Sequence, residues 1–317
     1  MKAELVNHNN DDLLCVNAAR VSMDKESSVF TFRKDKPKGS DEGLVHYLAG
    51  HRHWTPFSHA RFTLVANDVF VKLANVNPED IASAVWRTNK STFKFRTSLF
   101  GWVNLLKQDM IEPTYKDAII NFLFEKVPNC AKALLSDVTS YSQTMNDVWE
   151  PEVETDPAFI DVTMRETIPI FIARQRFKHM VGTTYNEVSR RYVDDTPEFY
   201  HIDEWRSRPD GSIKQGSGDI HPDSAAMSLF ARGRVTLMAQ DYEENIEEGY
   251  APEQARSLLP QNMITSYYVT ASLNAWNRAY EQRIDLHAQK EIQMLAEQWN
   301  THLSNSPHGD IWKAISS

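Results

Sequence analysis

Cations are concentrated between residues 174 and 192, in a chain whose formal net charge is −9. They are Arg174, Arg176, Lys178, Arg190 and Arg191, with Glu187 as the single acid among them. Arginine binds phosphate oxygens in a bidentate fashion, and lysine binds them as a point charge. The stretch therefore favours recognition of a small phosphate-bearing molecule. The alternative is a solvated basic face that pairs with acids elsewhere in the chain.

Histidines form a second group of candidate ligands near residue 50. They are His46, His51, His53 and His59. A His-x-His pair with a distant third histidine is a known zinc-binding arrangement, so a metallohydrolase is one alternative. However, no acid lies between Glu42 and Asp68 to complete or orient such a site. We therefore predict that these histidines hold no metal.

The remaining candidate nucleophiles lack partners in the sequence. Ser189 has no obvious histidine and acid nearby with which to form a hydrolase triad. Cys15 and Cys130 are far apart and belong to no CxxC motif, which favours small buried side chains over reactive thiolates. None of the three is expected to act as an activated nucleophile.

Composition narrows the class of protein. A chain of 317 residues that is 41% hydrophobic can bury a sizeable core. The negative net charge argues against a general nucleic-acid binder. No apolar run approaches the length of a membrane span, and the first residues lack the features of a signal peptide. We expect a soluble, cytoplasmic protein with no nucleic-acid or membrane partner.

Hydrophobic periodicity predicts the elements that position these residues. Strand patterns occupy residues 4–8, 13–16, 62–65, 168–173 and 265–271. Helical patterns occupy residues 41–48, 115–127, 223–248 and 285–303. A further helix is predicted to begin at 78–80, and another to follow Ser272. Strands and helices mix without βαβ alternation, so we expect an α+β fold with a central, mostly antiparallel sheet flanked by helices. We interpret residues 1–317 as a single domain, in which 67–167 form a helical insertion.

The basic stretch resembles the signature of flavin-dependent thymidylate synthases, written Arg-His-Arg, seven residues, then Ser. Lys178-His179-Met180 stand in place of the triplet, and one extra residue separates them from Ser189. Residues 174–175 before the triplet and 186–192 after it match the family pattern. Three further stretches resemble family segments in the same order, and a fourth resembles an Arg-x-x-Leu-Pro element. These are residues 19–22, 53–59 and 283–292, and 256–260 for the fourth. The block 67–167 has no counterpart in the compact members of the family.

The resemblance implies two neighbouring sites in a homotetramer. A dUMP site would contain Gln175, Arg176, Lys178, Glu187, Val188, Ser189, Arg190, Arg191, Arg256 and Arg283. Arg256 would reach the phosphate from another subunit. Arg283 and Ser189 would be catalytic, and Arg283 would contact the pyrimidine and favour ionisation at N3. An FAD site would contain Ser22, His53, Thr55, Lys178, His179, Met180, Glu187, Ser272, Asn274, Arg278 and His287, the last on a helical stripe with Arg283 and Glu291.

The activity that the resemblance implies is the conversion of dUMP to dTMP. The carbon donor would be 5,10-methylenetetrahydrofolate, and FAD reduced by NADPH would supply the hydride, with no cysteine nucleophile. Three alternatives stay open besides this activity. They are a hydroxymethylase or an enzyme acting on another pyrimidine nucleotide, the histidine-based metallohydrolase, and a nucleotide-binding protein without catalysis.

Overall fold

A computed structural model describes residues 1–6, 10–73, 84–89, 91–137, 148–209 and 216–317. In these residues the chain forms two antiparallel sheets, each covered by helices. This architecture confirms the α+β class. The predicted helix opening at 78–80 lies outside the described residues.

The four-stranded sheet has the order β1-β5-β7-β6, and all its neighbours are antiparallel. Its strands are β1 (Lys2–Leu5), β5 (Asp161–Pro169), β6 (Thr183–Glu187) and β7 (Ile264–Ser272). Tyr267 and Val269 on β7 pack into one core, while Tyr268 packs into the other. Side chains alternate between the faces of a strand, so β7 is buried on both faces and separates the two cores.

Helices cover the four-stranded sheet and provide one core. They are α6 (Ile170–Arg176), α9 (Leu273–Ile284), α10 (Lys290–Ser304) and α11 (Gly309–Ile315). Trp276, Trp299 and Trp312 from α9, α10 and α11 are completely buried there. Two further helices, α7 (Ser224–Glu247) and α8 (Pro252–Ala255), pack on each other. In the described part of the chain, no helix combines the length and the apolar character needed to cross a membrane.

The three-stranded sheet has the order β2-β4-β3 and belongs to the other core. Its strands are β2 (Arg61–Ala66), β3 (Val85–Thr88) and β4 (Phe93–Ser98). The surrounding helices are α1 (Asp12–Arg20), α2 (Asp41–Gly50), α3 (Leu99–Lys107), α4 (Pro113–Lys126) and α5 (Pro128–Leu134). Trp102 of α3 is completely buried and donates a hydrogen bond to the Phe62 carbonyl at 3.1 Å.

Buried charges join the two sheets. Arg61 of β2 donates to the Asp161 carboxylate of β5 at 2.9 Å, and Arg96 of β4 contacts the same carboxylate. Burial raises the pKa of Asp161, but the positive charges of Arg96 and Arg61 outweigh it and hold the pKa below its usual range. Asp161 and Arg96 both belong to the block 67–167 and Arg61 does not, so the Arg61–Asp161 ion pair ties the block to the rest of the fold.

Two apolar runs predicted as strands have other structures. Residues 13–16 lie in α1, where Leu14, Cys15 and Ala18 are buried at helical spacing and Asp11 caps the first turn through the Leu14 amide. Residues 168–173 are divided, because β5 ends at Pro169 and α6 begins at Ile170. An apolar run of this length does not distinguish a buried strand from a buried helix.

The block 67–167 also differs in part from its predicted helical character. It contains α3, α4 and α5, but also β3 and β4 and most of β5. The strands β3 and β4 carry the charged residues Arg87, Lys94 and Arg96 among apolar or small residues. Because of this charge, the apolar pattern of the sequence did not indicate strands here. The strands pair with β2 and β7, so the block contributes to both sheets.

Candidate functional site

A cavity of about 780 Å³ opens where the chain leaves β6. Predicted site residues in its wall are Glu187, Val188, Ser189, Arg190 and Arg256. Arg191 lies beside them, with its Nε 3.4 Å from Glu253, another residue of the wall. We call this space the cation cavity.

Main-chain hydrogen bonds fix the segment that supplies these residues. The Val188 amide donates to the Ser266 carbonyl of β7 at 2.8 Å. The next amide, that of Ser189, donates to the Ser22 carbonyl at 2.9 Å. The segment is thereby held between the central strand and the 3-10 turn Val21–Met23. Ser22, predicted as a flavin contact, is thus placed next to Ser189.

The cations of this cavity differ in how they are paired. Arg190 lies 2.6 Å from the exposed carboxylate of Asp195. Arg165, which sequence reasoning missed, also lines the cavity and contacts Asp24 at 2.6 Å. Arg256 is exposed and forms no ion pair with an acid of the described ranges. An anion that enters the cavity therefore meets one open guanidinium and others held by exchangeable surface acids.

Glu187 is the predicted acid of the site. Protein packed around its carboxylate raises its pKa, while the Thr265 hydroxyl, which donates to it at 2.7 Å, and the charge of Arg256 act in the opposite direction. The net effect is a raised pKa, so Glu187 holds a proton more readily than an ordinary surface glutamate.

A second cavity, of about 710 Å³, lies at the end of α9. Gln175, Arg283 and His287 are the predicted site residues in its wall. Arg283 donates from Nε to the Nε2 atom of His179 at 2.8 Å and from Nη2 to the Gln175 carbonyl at 3.1 Å. The guanidinium is therefore held at two of its nitrogens. We call this space the Arg283 cavity.

His179 is neutral in this arrangement. Its Nε2 accepts the hydrogen bond from Arg283, which places the ring proton on Nδ1. Burial, and then the charges of Arg176, Arg283 and Arg278, lower its pKa to about 4. At neutral pH the imidazole thus serves as an acceptor for Arg283.

The turn after α6 presents the predicted flavin contacts. Lys178 and Met180 are exposed, Met180 to 71%. Arg278 of α9 donates to the Val181 carbonyl at 3.0 Å and so lies against the same turn. Asn274 is exposed one turn earlier on α9. Arg278 and the turn are therefore adjacent at the surface.

His287 does not share a helical stripe with Arg283 and Glu291, as the sequence predicted. α9 ends at Ile284 and α10 begins at Lys290, so His287 lies exposed in the connection. Its amide bonds the Asp285 side chain at 2.7 Å, which favours a turn over a continuing helix. The residue still reaches the Arg283 cavity, but from a loop.

Two predicted site residues are occupied by structural roles. Arg176 is buried, donates to Glu166 at 3.2 Å, and lies 4.7 Å from the ring centres of both Trp276 and Trp299. Ser272 is also buried, and its hydroxyl accepts from the Ala275 amide at the start of α9. Both side chains therefore have structural partners, and their contacts with dUMP and FAD stay predictions.

The histidines of residues 46–59 do not converge. His59 is completely buried and bonds Thr270 at 2.7 Å and Asn186 at 3.3 Å. His51 and His53 are exposed, and Tyr47 stacks on His51 at 3.9 Å, while Thr55 is exposed at the start of the next turn. Across the ranges that the structure describes, no three His, Cys, Asp or Glu residues are grouped to hold a metal. The metallohydrolase alternative therefore lacks its third ligand.

Both cysteines are buried in the core that contains the three-stranded sheet. Burial, and then the neighbouring Cys15 and Asp12, raise the pKa of the Cys130 thiol well above its ordinary value. A protonated, inaccessible thiol is a poor nucleophile, in agreement with the expectation from sequence.

Comparisons with known proteins match the segments that form the two cavities. The family model described as "Thymidylate synthase complementing protein" matches residues 4–73 and 130–306. These ranges contain the walls of both cavities and leave 74–129 unmatched, a shorter block than the predicted insertion at 67–167.

Individual relatives agree with the family match. A flavin-dependent thymidylate synthase from Aquifex aeolicus is 29% identical over 309 residues, which cover 90% of this chain and 92% of that protein. One from Thermosipho africanus is 33% identical over 147 residues, 45% of this chain and 63% of that protein. A solved UMP/dUMP methylase, PolB from Streptomyces cacaoi, aligns over 99% of this chain and 94% of that chain with 18% identity and a TM-score of 0.44. At that level the likeness says nothing about substrate.

Proposed function

Because this chain belongs to the thymidylate synthase complementing protein family, we propose that it is a flavin-dependent thymidylate synthase. It converts dUMP to dTMP, with 5,10-methylenetetrahydrofolate as the carbon donor and NADPH-reduced FAD as the hydride source. The observation that carries this proposal is the cation cavity, whose Ser189, Arg190 and Arg256 all lie in matched segments. Its location in the cytoplasm stays a prediction.

The cation cavity supplies the site for the nucleotide phosphate. Arg256 is open, and Arg190 and Arg191 are held by exposed acids that a phosphate dianion can replace. Each guanidinium offers two parallel donors to phosphate oxygens. The Ser189 hydroxyl at the same wall adds a donor, and it binds the substrate without acting as a nucleophile.

Arg283 performs the electrostatic part of the chemistry. Its guanidinium is held by His179 and by the Gln175 carbonyl, so it needs little reorganisation when negative charge develops on a pyrimidine beside it. A preorganised donor of this kind typically contributes about 3–4 kcal/mol to transition-state stabilisation.

The exposed turn after α6 fits a flavin. Met180 and Val181 present apolar surface, and Lys178 and Arg278 place cations beside it. An isoalloxazine ring needs such an apolar contact, and a pyrophosphate needs the cations. When bound, FAD supplies hydride transfer. The exposed His53 and Thr55 offer further polar contacts to the cofactor.

A homotetramer is the proposed assembly, and α7 is the element that supports it. Only three residues of this 24-residue helix are buried. Leu229, Phe230 and Leu237 are exposed to 75%, 56% and 58%. Monomeric proteins rarely leave so much apolar surface on one helix open to water. Packing of α7 against other copies removes this cost.

We propose that each nucleotide site combines residues from two subunits. Arg191 and Arg256 were expected on different subunits, yet within one chain Arg191 pairs with Glu253, three residues from Arg256. Gln175 and Arg283 instead line a different cavity from Arg190 and Arg256. A complete dUMP site therefore needs the cation cavity of one chain to face the Arg283 cavity of another. Mixing inactive Arg256→Ala and Arg283→Ala proteins should then restore part of the activity, whereas a fully active monomer by light scattering would contradict the proposal.

The block 67–167 is proposed to be peripheral to the chemistry. In the described part of the block, only Arg165 and Thr167 of β5 line the cation cavity, and no residue lines the Arg283 cavity. Substitutions at exposed positions such as Lys132 on α5 should leave turnover unchanged in folded protein. A loss of turnover there with intact folding would show that the block acts on the site.

Product analysis tests the proposed function. The purified protein is incubated with dUMP, 5,10-methylenetetrahydrofolate, NADPH and FAD, and each component is omitted in turn. The expected product is dTMP, formed only in the complete mixture. A hydroxymethylated product identifies the alternative hydroxymethylase, and methylation of UMP in preference to dUMP identifies another substrate. Absence of any product from folded, flavin-loaded protein would refute the proposal.

A further inference from the structure

A buried ion pair lies directly beneath the turn that carries His179. The Glu166 carboxylate of β5 accepts from Arg176 Nε at 3.2 Å and also from the Tyr267 hydroxyl. Glu166 is completely buried, and Arg176 is enclosed by Trp276 and Trp299. This pair is rigid because neither charge can leave it without a large cost of desolvation.

Tyr185 of β6 connects the pair to the turn. Arg176 Nη1 lies 2.7 Å from the Tyr185 hydroxyl oxygen, which therefore accepts. The hydroxyl proton then points to the main chain, where the carbonyls of His179 and Arg176 lie at 2.9 Å and 3.1 Å. Burial raises the pKa of Tyr185 to about 12, so the proton is present at neutral pH.

The network continues from His179 to Arg283. The His179 ring accepts from Arg283 at 2.8 Å, and Gln175, in the last turn of α6, holds the same guanidinium. Lys178, Met180 and Val181 of the turn are exposed. Besides Tyr185, the turn is held by the His179 amide, which donates to the Arg176 carbonyl at 3.1 Å, and by Arg278, which donates to the Val181 carbonyl at 3.0 Å. The position of the His179 main chain thus determines where its ring meets Arg283.

We propose that Tyr185 is a positioning residue. Its hydroxyl connects the rigid Glu166–Arg176 pair to the His179 carbonyl, and the His179 ring in turn holds Arg283 in place. This role rests on the proposed function only in that Arg283 contacts the nucleotide. Tyr185 touches neither cavity, so it acts through Arg283 and not on substrate. No matched motif singles it out, since its signal is the three-dimensional network alone.

Tyr185→Phe isolates the hydroxyl. The ring still packs on Phe177 at 5.0 Å and on Tyr267 at 5.9 Å, so the fold keeps its packing. Tyr280→Phe is the matched control, because Tyr280 is a partly buried tyrosine of α9 whose ring packs on Trp312. Hydrogen–deuterium exchange of the peptide 177–184 should rise about fivefold to tenfold in Tyr185→Phe, the effect of one lost hydrogen bond, and stay unchanged in Tyr280→Phe.

Nucleotide binding provides the second measurement. Tyr185→Phe should weaken dUMP binding by about fivefold in calorimetry, and it should cause no further loss in an Arg283→Ala background, because both changes then remove the same contact. Unchanged local exchange overturns the proposal, as does a rise in exchange spread over both sheets. A loss that adds fully to that of Arg283→Ala overturns the connection to Arg283. If the wild-type protein binds no dUMP, the proposed function fails, while the exchange measurement still decides whether Tyr185 holds the turn.

Discussion

Arg176 and Arg190 belong to the same basic stretch of sequence but to opposite environments. Arg176 is enclosed by two tryptophans and paired with a buried glutamate. Arg190 lies in the wall of an open cavity and is paired with an aspartate whose side chain is 61% exposed. The first pair cannot exchange its partner for a ligand, whereas the second can.

The difference shows that cations counted in a sequence are not all available to an anion. A buried guanidinium is already paired with a carboxylate. Removing that partner leaves the guanidinium buried, with neither a counter-charge nor water to stabilise it. A guanidinium at a cavity wall loses little when a phosphate replaces a surface carboxylate. Burial therefore separates the structural arginines from the binding ones.

The largest expected effect is on stability, from Arg176→Met. This change leaves Glu166 buried without its cation, and breaking such a pair costs about 3–5 kcal/mol. Arg190→Met is the matched control and should cost under about 1 kcal/mol, since its partner is exposed. Urea unfolding of both variants measures the difference. Equal losses would mean that the two arginines do not differ in the way described.

Arg283→Ala should lower turnover about a hundredfold or more while FAD stays bound. The reason is the loss of a preorganised cation worth about 3–4 kcal/mol beside developing charge. Arg174→Ala provides the control, because Arg174 is exposed on α6. Rates of dTMP formation compare the two. Normal turnover of Arg283→Ala would remove this residue from the chemistry.

Acid should destabilise the protein through His59. Burial, and then the charge of Arg61, lower its pKa from 6.5 to about 3. The unfolded chain therefore takes up the proton first, so the contribution is complete above pH 6.5 and is lost as pH falls toward 3. The slope reaches about 1.4 kcal/mol per pH unit. The free energies of unfolding at pH 6.5 and 5.5 should differ less for His59→Gln than for the wild type. His51→Gln, at an exposed position, is the control. An unchanged pH dependence in His59→Gln would disprove the assignment.

Asp195→Asn should strengthen dUMP binding about threefold. The carboxylate competes with the nucleotide phosphate for Arg190, and an exposed ion pair of this type is worth about 0.2–1 kcal/mol. Asp194→Asn removes a neighbouring exposed charge and serves as the control. Calorimetric titration distinguishes them. Equal gains in both variants would indicate a general charge effect instead of competition at Arg190.

The smallest effect on turnover is expected for the cysteines. Cys15→Ser and Cys130→Ser place a hydroxyl in an apolar environment and therefore lower stability. Folded protein should keep turnover within about twofold, because a buried, inaccessible thiol is a poor nucleophile. An inactive but folded variant, identified by dTMP assay beside circular dichroism, would contradict the flavin-dependent mechanism.

Local sequence patterns were sufficient for several elements. The predicted helices at 115–127 and 223–248 correspond to α4 and α7, and Ser272 begins α9 as a cap. These elements carry their own signals, which are apolar residues at helical spacing and capping side chains. The motifs around Ser189, Arg256 and Arg283 likewise identified the family from short stretches, because the residue types at fixed spacing are visible without a fold.

Only the tertiary structure decided which of those residues are open to a ligand. Arg176 and Arg190 are the same residue type in one stretch, yet Glu166 and two tryptophans from distant segments enclose the first. The same holds for β4, whose Arg96 is explained only by Asp161 on another sheet. Residues 13–16 became helical because their neighbours bury one helical face and Asp11 caps it. Burial and charge pairing depend on contacts between residues far apart in the chain, and no local pattern contains them.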